Sequence, residues 1–214
     1  MKKTEFPSAF FITGTDTGVG KTVVSAILAR GLLSAYWKPV QSGLDEMTDT
    51  QTVKMLTGLP DRHFFPETYR LNHPLSPHLS ARRDGISISL EKFVLPASDA
   101  YSHLIVEGAG GVMAPLNDEC FILDLMKKLN LPVLLVARSG LGTINHTLLS
   151  LDMMRRNGLH VFGAVMNGPV NPGNREAIES FGNIHVIAEI EHMGTLNPDS
   201  IGGLCERHFF STDT

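Results

Sequence analysis

The chain has 214 residues, a formal net charge of -4 and an apolar fraction of 43%, enough to bury the core of one α/β domain spanning 1–214. Its Lys and Arg residues are scattered, which argues against a nucleic-acid partner. No run approaches the roughly 20 apolar residues of a membrane span, and Cys120 and Cys205 form neither a CxxC motif nor a disulfide framework.

In chain order, Met1-Lys2-Lys3-Thr4-Glu5-Phe6-Pro7 lacks the apolar core of a secretory signal, so a cytoplasmic setting is expected. The first strand, Ala9 to Thr13, empties into Gly14-Thr15-Asp16-Thr17-Gly18-Val19-Gly20-Lys21-Thr22, and a helix follows over Lys21 to Leu33. Strand, glycine loop, Gly-Lys-Thr and helix in that order form a phosphate-binding loop. Its N–H groups turn inward around phosphate oxygens, Lys21 reaches the β/γ-phosphates and the Thr22 hydroxyl ligates Mg2+. The helix adds its positive dipole end. Five residues separate Gly14 from Gly20, where the standard loop has four. Asp16 also stands where partition-type ATPases carry a second lysine, which argues against that group.

A second strand over Ala35 to Val40 carries Lys38 to its carboxyl end, with Ser42 four residues on. Lys38 reads either as a fixed ammonium for carboxylate or phosphoryl oxygens or as a strand-end lysine reaching for solvent. Asp49 opens a helix over Asp49 to Leu56, as a favourable N-terminal charge or as one of the carboxylates that Mg2+ takes beside a loop threonine. The segment 59–89, with Pro60, Pro66, Pro74 and Pro77, shows no sustained period and reads as a long ordered loop, a lid or binding loop.

A third strand, Leu104 to Glu107, ends in an acid and then Gly108-Ala109-Gly110-Gly111. Glu107 fits the second Mg2+-linked carboxylate, and the glycines let backbone lie close to a triphosphate. Strands over Val133 to Val136, Val161 to Met166 and His185 to Ile190 alternate with helices over Ile122 to Leu129, Ile144 to Arg156, Arg175 to Phe181 and Ser200 to Arg207. That alternation predicts a mostly parallel sheet flanked by helices, with ligands beyond the carboxyl ends of the strands. The helix from Ile144 carries more apolar residues than one face easily buries, Leu148, Leu149 and Leu151 among them, so a subunit contact is expected, the alternative being a core helix packed only on its own sheet. His78 and His146 suit structural roles as well as functional ones, and no His or Cys spacing supports zinc.

Five separated motifs, Gly14 to Thr22, Lys38 to Gly43, Ser76-Pro77-His78, Val106 to Gly111 and Gly142 to His146, together resemble the dethiobiotin synthetase family over nearly the whole chain. The resemblance implies a P-loop NTPase-like fold and an ATP- and Mg2+-dependent ligase of biotin biosynthesis. Such an enzyme carboxylates 7,8-diaminononanoate with CO2 and closes the ring of dethiobiotin through a phosphorylated carbamate. By resemblance, Lys21 and Lys38 neutralise the carbamate and the transferring phosphoryl group, and Thr17 and Ser42 contact the carbamate or diamine end. Gly18, Val19, Gly20, Lys21, Thr22 and Val23, with Glu107, Gly108, Ala109 and Gly110, surround the phosphates. Asn167, Gly168, Glu191, His192 and Met193 lie at the adenine, and Thr22, Asp49 and Glu107 hold Mg2+. The family's homodimer would bring Thr143, Ile144 and Asn145 to the neighbouring subunit's substrate. The chain departs from the family pattern at Gly18, where many relatives are acidic, and at Ile190-Glu191-His192-Met193, where Ile-Pro is usual. On the residues alone, a nucleotide-driven switch and a small-molecule kinase remain alternative uses of the loop.

Overall fold

Successive side chains of a strand point to opposite faces, so a strand that is apolar throughout must be covered on both sides. The computed structural model, which describes residues 6–191 and 194–210, meets that demand with helices on both faces of a parallel sheet. The order is β1 (Ala9–Gly14), α1 (Lys21–Leu32), β2 (Ala35–Trp37), β3 (Val40–Ser42), α2 (Asp49–Thr57), β4 (Phe64–Phe65), β5 (Tyr69–Leu71) and α3 (Pro77–Asp84). Then follow β6 (Leu104–Gly111), α4 (Ile122–Leu129), β7 (Val133–Arg138), α5 (Thr143–Arg156), β8 (Val161–Asn167), α6 (Pro172–Gly182), β9 (Val186–Ile190) and α7 (Pro198–Cys205). The main sheet runs β4-β2-β6-β1-β7-β8-β9, and its pairings are parallel.

The period of two divides the core into two layers. Phe10, Ile12, Tyr36, Ile105, Leu134 and Val136 face α1, α2 and α7. Phe11, Trp37, Leu104, Val106, Val133 and Leu135 face α4, α5 and α6. Because β1 sits inside the sheet, between β6 and β7, the loop after it is flanked by the carboxyl ends of both neighbours. Gly20 adopts φ +100° there, and a side chain on it would collide with the Asn167 amide, so only glycine fits. Thr48 caps α2 by accepting from the Gln51 N–H, while the Gln51 side chain accepts from the Thr48 N–H, a reciprocal capping box.

The expected strand over Ala35 to Val40 is two strands. Pro39 has no N–H for the ladder, so β2 stops at Trp37, and β3 turns away to pair with β5 in a separate two-stranded sheet. Nor is 59–89 a loop: it holds a 3-10 turn over Asp61–His63, β4, β5 and α3, elements too short to show a period. α6 starts earlier than expected, at Pro172, because the Asn171 side chain caps it by accepting from the Asn174 N–H. α7 ends at Cys205 and runs into a π-helical turn over Glu206–Phe210. No helix of the described residues is long and apolar enough to cross a membrane.

α1 and α7 meet so closely that a methyl group at Gly31 would collide with Cys205 and approach Phe210 Cε2 to 2.9 Å, whereas nothing lies within 4 Å of a methyl at Gly202. Gly31→Ala should therefore lower stability, since overpacking of about 1–3 kcal/mol outweighs a helix-propensity gain of about 1 kcal/mol. Gly202→Ala should raise it by up to about 1 kcal/mol. Denaturant unfolding of both variants checks the contrast.

Candidate active site

The phosphate loop is anchored on three sides. Lys21, buried at the start of α1, donates from Nζ to the Asp16 carbonyl at 3.0 Å. Asp16 accepts from its neighbour's N–H with Oδ1 and pairs through Oδ2 with Arg138 at 2.8 Å, which ties the loop tip to the end of β7. The Asn167 amide donates to the Val19 carbonyl at 3.1 Å, tying the loop to the end of β8. Asp16 thus closes an ion pair at the position where the lysine of partition-type ATPases would stand.

Across the loop lies a charged cluster that the strand register assembles. Tyr36 on β2 is paired with Ile105 on β6, and Trp37 with Val106; one residue beyond that last pair stand Lys38, just past the end of β2, and Glu107 on β6. The Lys38 ammonium lies 2.7 Å from Asp49 Oδ2, 3.0 Å from Glu107 Oε1 and 2.9 Å from the Gly108 carbonyl. The Thr22 hydroxyl joins the same cluster, 2.7 Å from Asp49 Oδ1 and 3.0 Å from Glu107 Oε1. On the core side, the Tyr36 hydroxyl donates to Glu107 Oε2 at 3.0 Å. Asp49 is aimed by Gln41, whose side-chain carbonyl accepts the Asp49 N–H at 3.0 Å.

Charge and burial compete at each of these groups. Burial works to strip the proton from Lys38, but the Glu107 and Asp49 carboxylates prevail and hold its pKa above the ordinary lysine value. Burial would raise Asp49, yet the Lys38 charge, the Lys38 hydrogen bond and the Thr22 hydroxyl bring it below the usual carboxylate range. Lys21 is lowered to about 8, by burial first and then by the Lys38 charge, with Glu107, Asp49 and Asp16 opposing. Burial, then the Glu107 charge, drives the Tyr36 phenol well above its ordinary value, so it remains a proton donor.

With Tyr36 behind them in the core, Lys21, Thr22, Lys38, Asp49 and Glu107 line a cleft of about 690 Å3 at the carboxyl ends of β1, β2 and β6. Of the residues expected from sequence, it gathers Thr17, Gly18, Gly20, Lys21, Thr22, Val23, Lys38, Ser42, Asp49, Glu107, Ala109 and Gly110. Val19 is turned inward and buried. Gly108 offers the cleft's lysine only its carbonyl. Asn167 and Gly168 stand beside the loop at the end of β8, where the Gly168 N–H donates to the Ile190 carbonyl. Glu191 is exposed just beyond, and His192 and Met193 lie outside the described residues. His78 does not line the cleft. It faces Ser76, with Nδ1 3.1 Å from the serine hydroxyl, and borders a smaller neighbouring cavity. Thr143 is buried and donates its hydroxyl to the Arg138 carbonyl, whereas Asn145 and His146 are exposed.

Sequence reading missed Tyr36, Gln41, Pro74 and Leu75. Tyr36 carried a usable signal, since it precedes Lys38 by one strand period and shares its face. Pro74 and Leu75 carried only the general signal of their segment, read as a lid or binding loop, with nothing to single out either residue.

The donor set suits Mg2+. Thr22, Asp49 and Glu107 offer only oxygens, and Mg2+ takes one or two carboxylates while keeping waters and phosphate oxygens. Among the described residues, no three His, Cys, Asp or Glu side chains gather to hold a metal by themselves. Bonding capacity also remains unused in and beside the cleft. The hydroxyls of Ser42 and Thr15 are buried without a partner among the described residues, and Ser42 borders the cleft.

A family model described as an AAA domain matches residues 8–200. The chain is 50% identical over 194 residues to an ATP-dependent dethiobiotin synthetase BioD of Paramagnetospirillum magneticum, covering 91% of this chain and 93% of that protein. It is 44% identical to another from Brucella anthropi, covering 94% and 93%. A bifunctional biotin-biosynthesis protein BioCD of Bordetella avium matches at 46% identity over 91% of this chain and 42% of its own length. Among solved structures, the septum site-determining protein MinD of Pyrococcus horikoshii, complexed with Mg-ADP, superposes with a TM-score of 0.54 at 12% identity, covering 93% and 94%; that likeness speaks for the P-loop NTPase fold alone. With relatives this close matching almost end to end, the chain belongs to the dethiobiotin synthetase family.

Proposed function

We propose that this chain, as one domain over 1–214, is a cytoplasmic ATP-dependent ligase that converts 7,8-diaminononanoate, CO2 and ATP into dethiobiotin, ADP and phosphate. The observation that carries the reading is the Lys38 ammonium, held between two carboxylates in the cleft that Lys21 also lines.

The reaction needs little covalent help from the protein. One substrate amine attacks CO2, loses a proton and becomes a carbamate. A carbamate oxygen attacks the γ-phosphorus and ADP departs. The second amine then attacks the carbonyl of the mixed anhydride, phosphate leaves and the cyclic urea closes. Catalysis is therefore positioning and charge stabilisation. Lys21 compensates the β/γ-phosphates. Lys38 directs all three N–H donors to Asp49, Glu107 and Gly108, so contact with the carbamate or the transferring phosphoryl group exchanges one of them. Thr17 and Ser42 hold the carbamate or diamine end, and the unpartnered Ser42 hydroxyl supports that role. Bound by Thr22, Asp49 and Glu107, Mg2+ would offset phosphate charge. Gly18, Gly20 and Val23, with Ala109 and Gly110, border the phosphates, while Asn167, Gly168 and Glu191 mark the adenine end.

The working unit in this reading is a homodimer, with the α5 N-terminus of each subunit presented to the other's substrate carboxylate. Its support is the exposure of Asn145 together with Leu141, fully exposed, and Leu149, 61% exposed.

Purified protein should release one phosphate per dethiobiotin formed, and only when diamine and CO2 are both supplied. Lys38→Ala should keep ATP binding within a few-fold but lose turnover by on the order of 100-fold or more, as for other oriented charge contacts. Ring closure at the parental rate by folded Lys38→Ala would remove Lys38 from the mechanism.

The Lys21 shift sets a pH dependence. Without Mg2+, Lys21 in the unliganded protein titrates near 8, and a triphosphate beside it raises that value. Affinity for ATP is thus fully present below about 8 and declines as pH rises past the unliganded value. ATP binding just above that pH should take up protons, seen as a calorimetric heat that varies with buffer ionisation enthalpy. Lys21→Ala should abolish the variation.

Complementation tests the shared site. Lys38→Ala and Asn145→Asp should each be weak, and their random re-association should restore roughly a quarter of parental activity, since about half the dimers are mixed and each has one intact site. No recovery in demonstrated mixed dimers would exclude the arrangement.

A further inference from the structure

One buried polar contact in the cluster has no part in the reaction scheme. Tyr36 is wholly buried, and its hydroxyl donates to Glu107 Oε2 at 3.0 Å. Glu107, also wholly buried, uses its other oxygen differently: Oε1 lies 3.0 Å from both the Thr22 hydroxyl and the Lys38 ammonium. The two oxygens are therefore segregated, one turned to the core and one to the cleft. Backbone register enforces this. Tyr36 is paired with Ile105, so it is the diagonal neighbour of Glu107 on the same face, within reach of a long side chain. The ring itself rests in the α1-side core, 6.1 Å from the Phe64 ring between centroids. A phenylalanine would fill that space equally well, so the hydroxyl is the part that packing does not explain.

We propose that Tyr36 is a positioning residue that confines Glu107 to single-oxygen metal ligation and so makes the site select Mg2+ over Ca2+. The inference rests on the reading of Thr22, Asp49 and Glu107 as the Mg2+ ligands. Mg2+ demands near-octahedral geometry at short distance, which one carboxylate oxygen satisfies; Ca2+ is larger, takes six to eight oxygens and readily accepts both oxygens of a carboxylate. For Glu107 to offer both, Oε2 would have to leave the core and abandon a fully buried phenol O–H. An unpaired buried donor is costly, so Tyr36 penalises the ligation that Ca2+ favours. Glu107 itself remains the ligand, and Tyr36 acts only through it, as outer partners of metal ligands commonly do.

The test compares the parent with Tyr36→Phe, using calorimetry to measure affinity for a non-hydrolysable ATP analogue as its Mg2+ complex, as its Ca2+ complex and free of metal. In Tyr36→Phe the Mg2+ complex should bind roughly ten-fold or more weakly, while the Ca2+ complex binds as before or more tightly. Equal weakening of both complexes would assign Tyr36 a packing role, and no change in either would make its hydroxyl irrelevant; each result overturns the proposal. If the parent binds the metal-free analogue as tightly as either complex, the Mg2+ reading of the site fails first and this inference falls with it. Unfolding midpoints without metal establish that the variant is folded. Should it not fold, infrared difference spectra of the parent, with glutamate carboxylates carbon-13 labelled, decide instead. A widely split carboxylate stretch on adding the Mg2+ complex supports single-oxygen ligation, and a narrowly split one overturns it.

Discussion

The structure depends on one buried ammonium having three acceptors. Lys38 is 3% exposed, and each of its three N–H donors finds an oxygen, on Asp49, Glu107 and Gly108. A lysine buried alone would surrender its proton, and two carboxylates gathered without it would resist sharing the space. Lys38 and Asp49 each favour the charged form of the other. Such a pair contributes little net stability, because desolvation consumes much of the attraction. Its worth lies in holding fixed charges where the chemistry needs them.

That constraint explains features of the fold that would otherwise look incidental. Pro39 ends β2 just after Lys38, so the side chain stands free of the ladder while β3 carries Ser42 to the cleft. The parallel register of β2 and β6 brings Lys38 to the level of Glu107 on the face covered by α1. Gln41, in the strand that Pro39 separates from β2, reaches the first N–H of α2 and sets the angle at which Asp49 enters. Thr22, in the first turn of α1, touches both carboxylates. The charged cluster thus stands on the α1 face of the sheet, whereas the α5 terminus packs in the opposite layer.

Much of this was legible beforehand, for reasons that differ among residues. The strands from Leu104, Val133 and Val161 were readable because both faces are covered, leaving long apolar runs bounded by turns. Lys21, Thr22 and Glu107 were readable because a glycine loop and a strand-end acid carry their chemistry within a few adjacent residues. β4, β5 and α3 were not, since two- or three-residue strands and a polar helix opened by Pro77 give no period to detect. Asp49 by itself read first as a helix-end charge, and nothing local shows that its carboxylate stands 2.7 Å from the Lys38 ammonium. His78, conspicuous in its motif, proved to face Ser76.

By itself the sequence determined what depends on neighbours along the chain: the glycine conformations of the phosphate loop, the alternation that demands a covered parallel sheet, and the motifs that place the chain in its family. Tertiary structure alone decided which distant side chains meet. Residues 36, 38, 49 and 107 converge only because β6 is inserted between β1 and β2. No local pattern encodes that strand order or the diagonal from Tyr36 to Glu107, because both follow from packing between segments far apart in the chain.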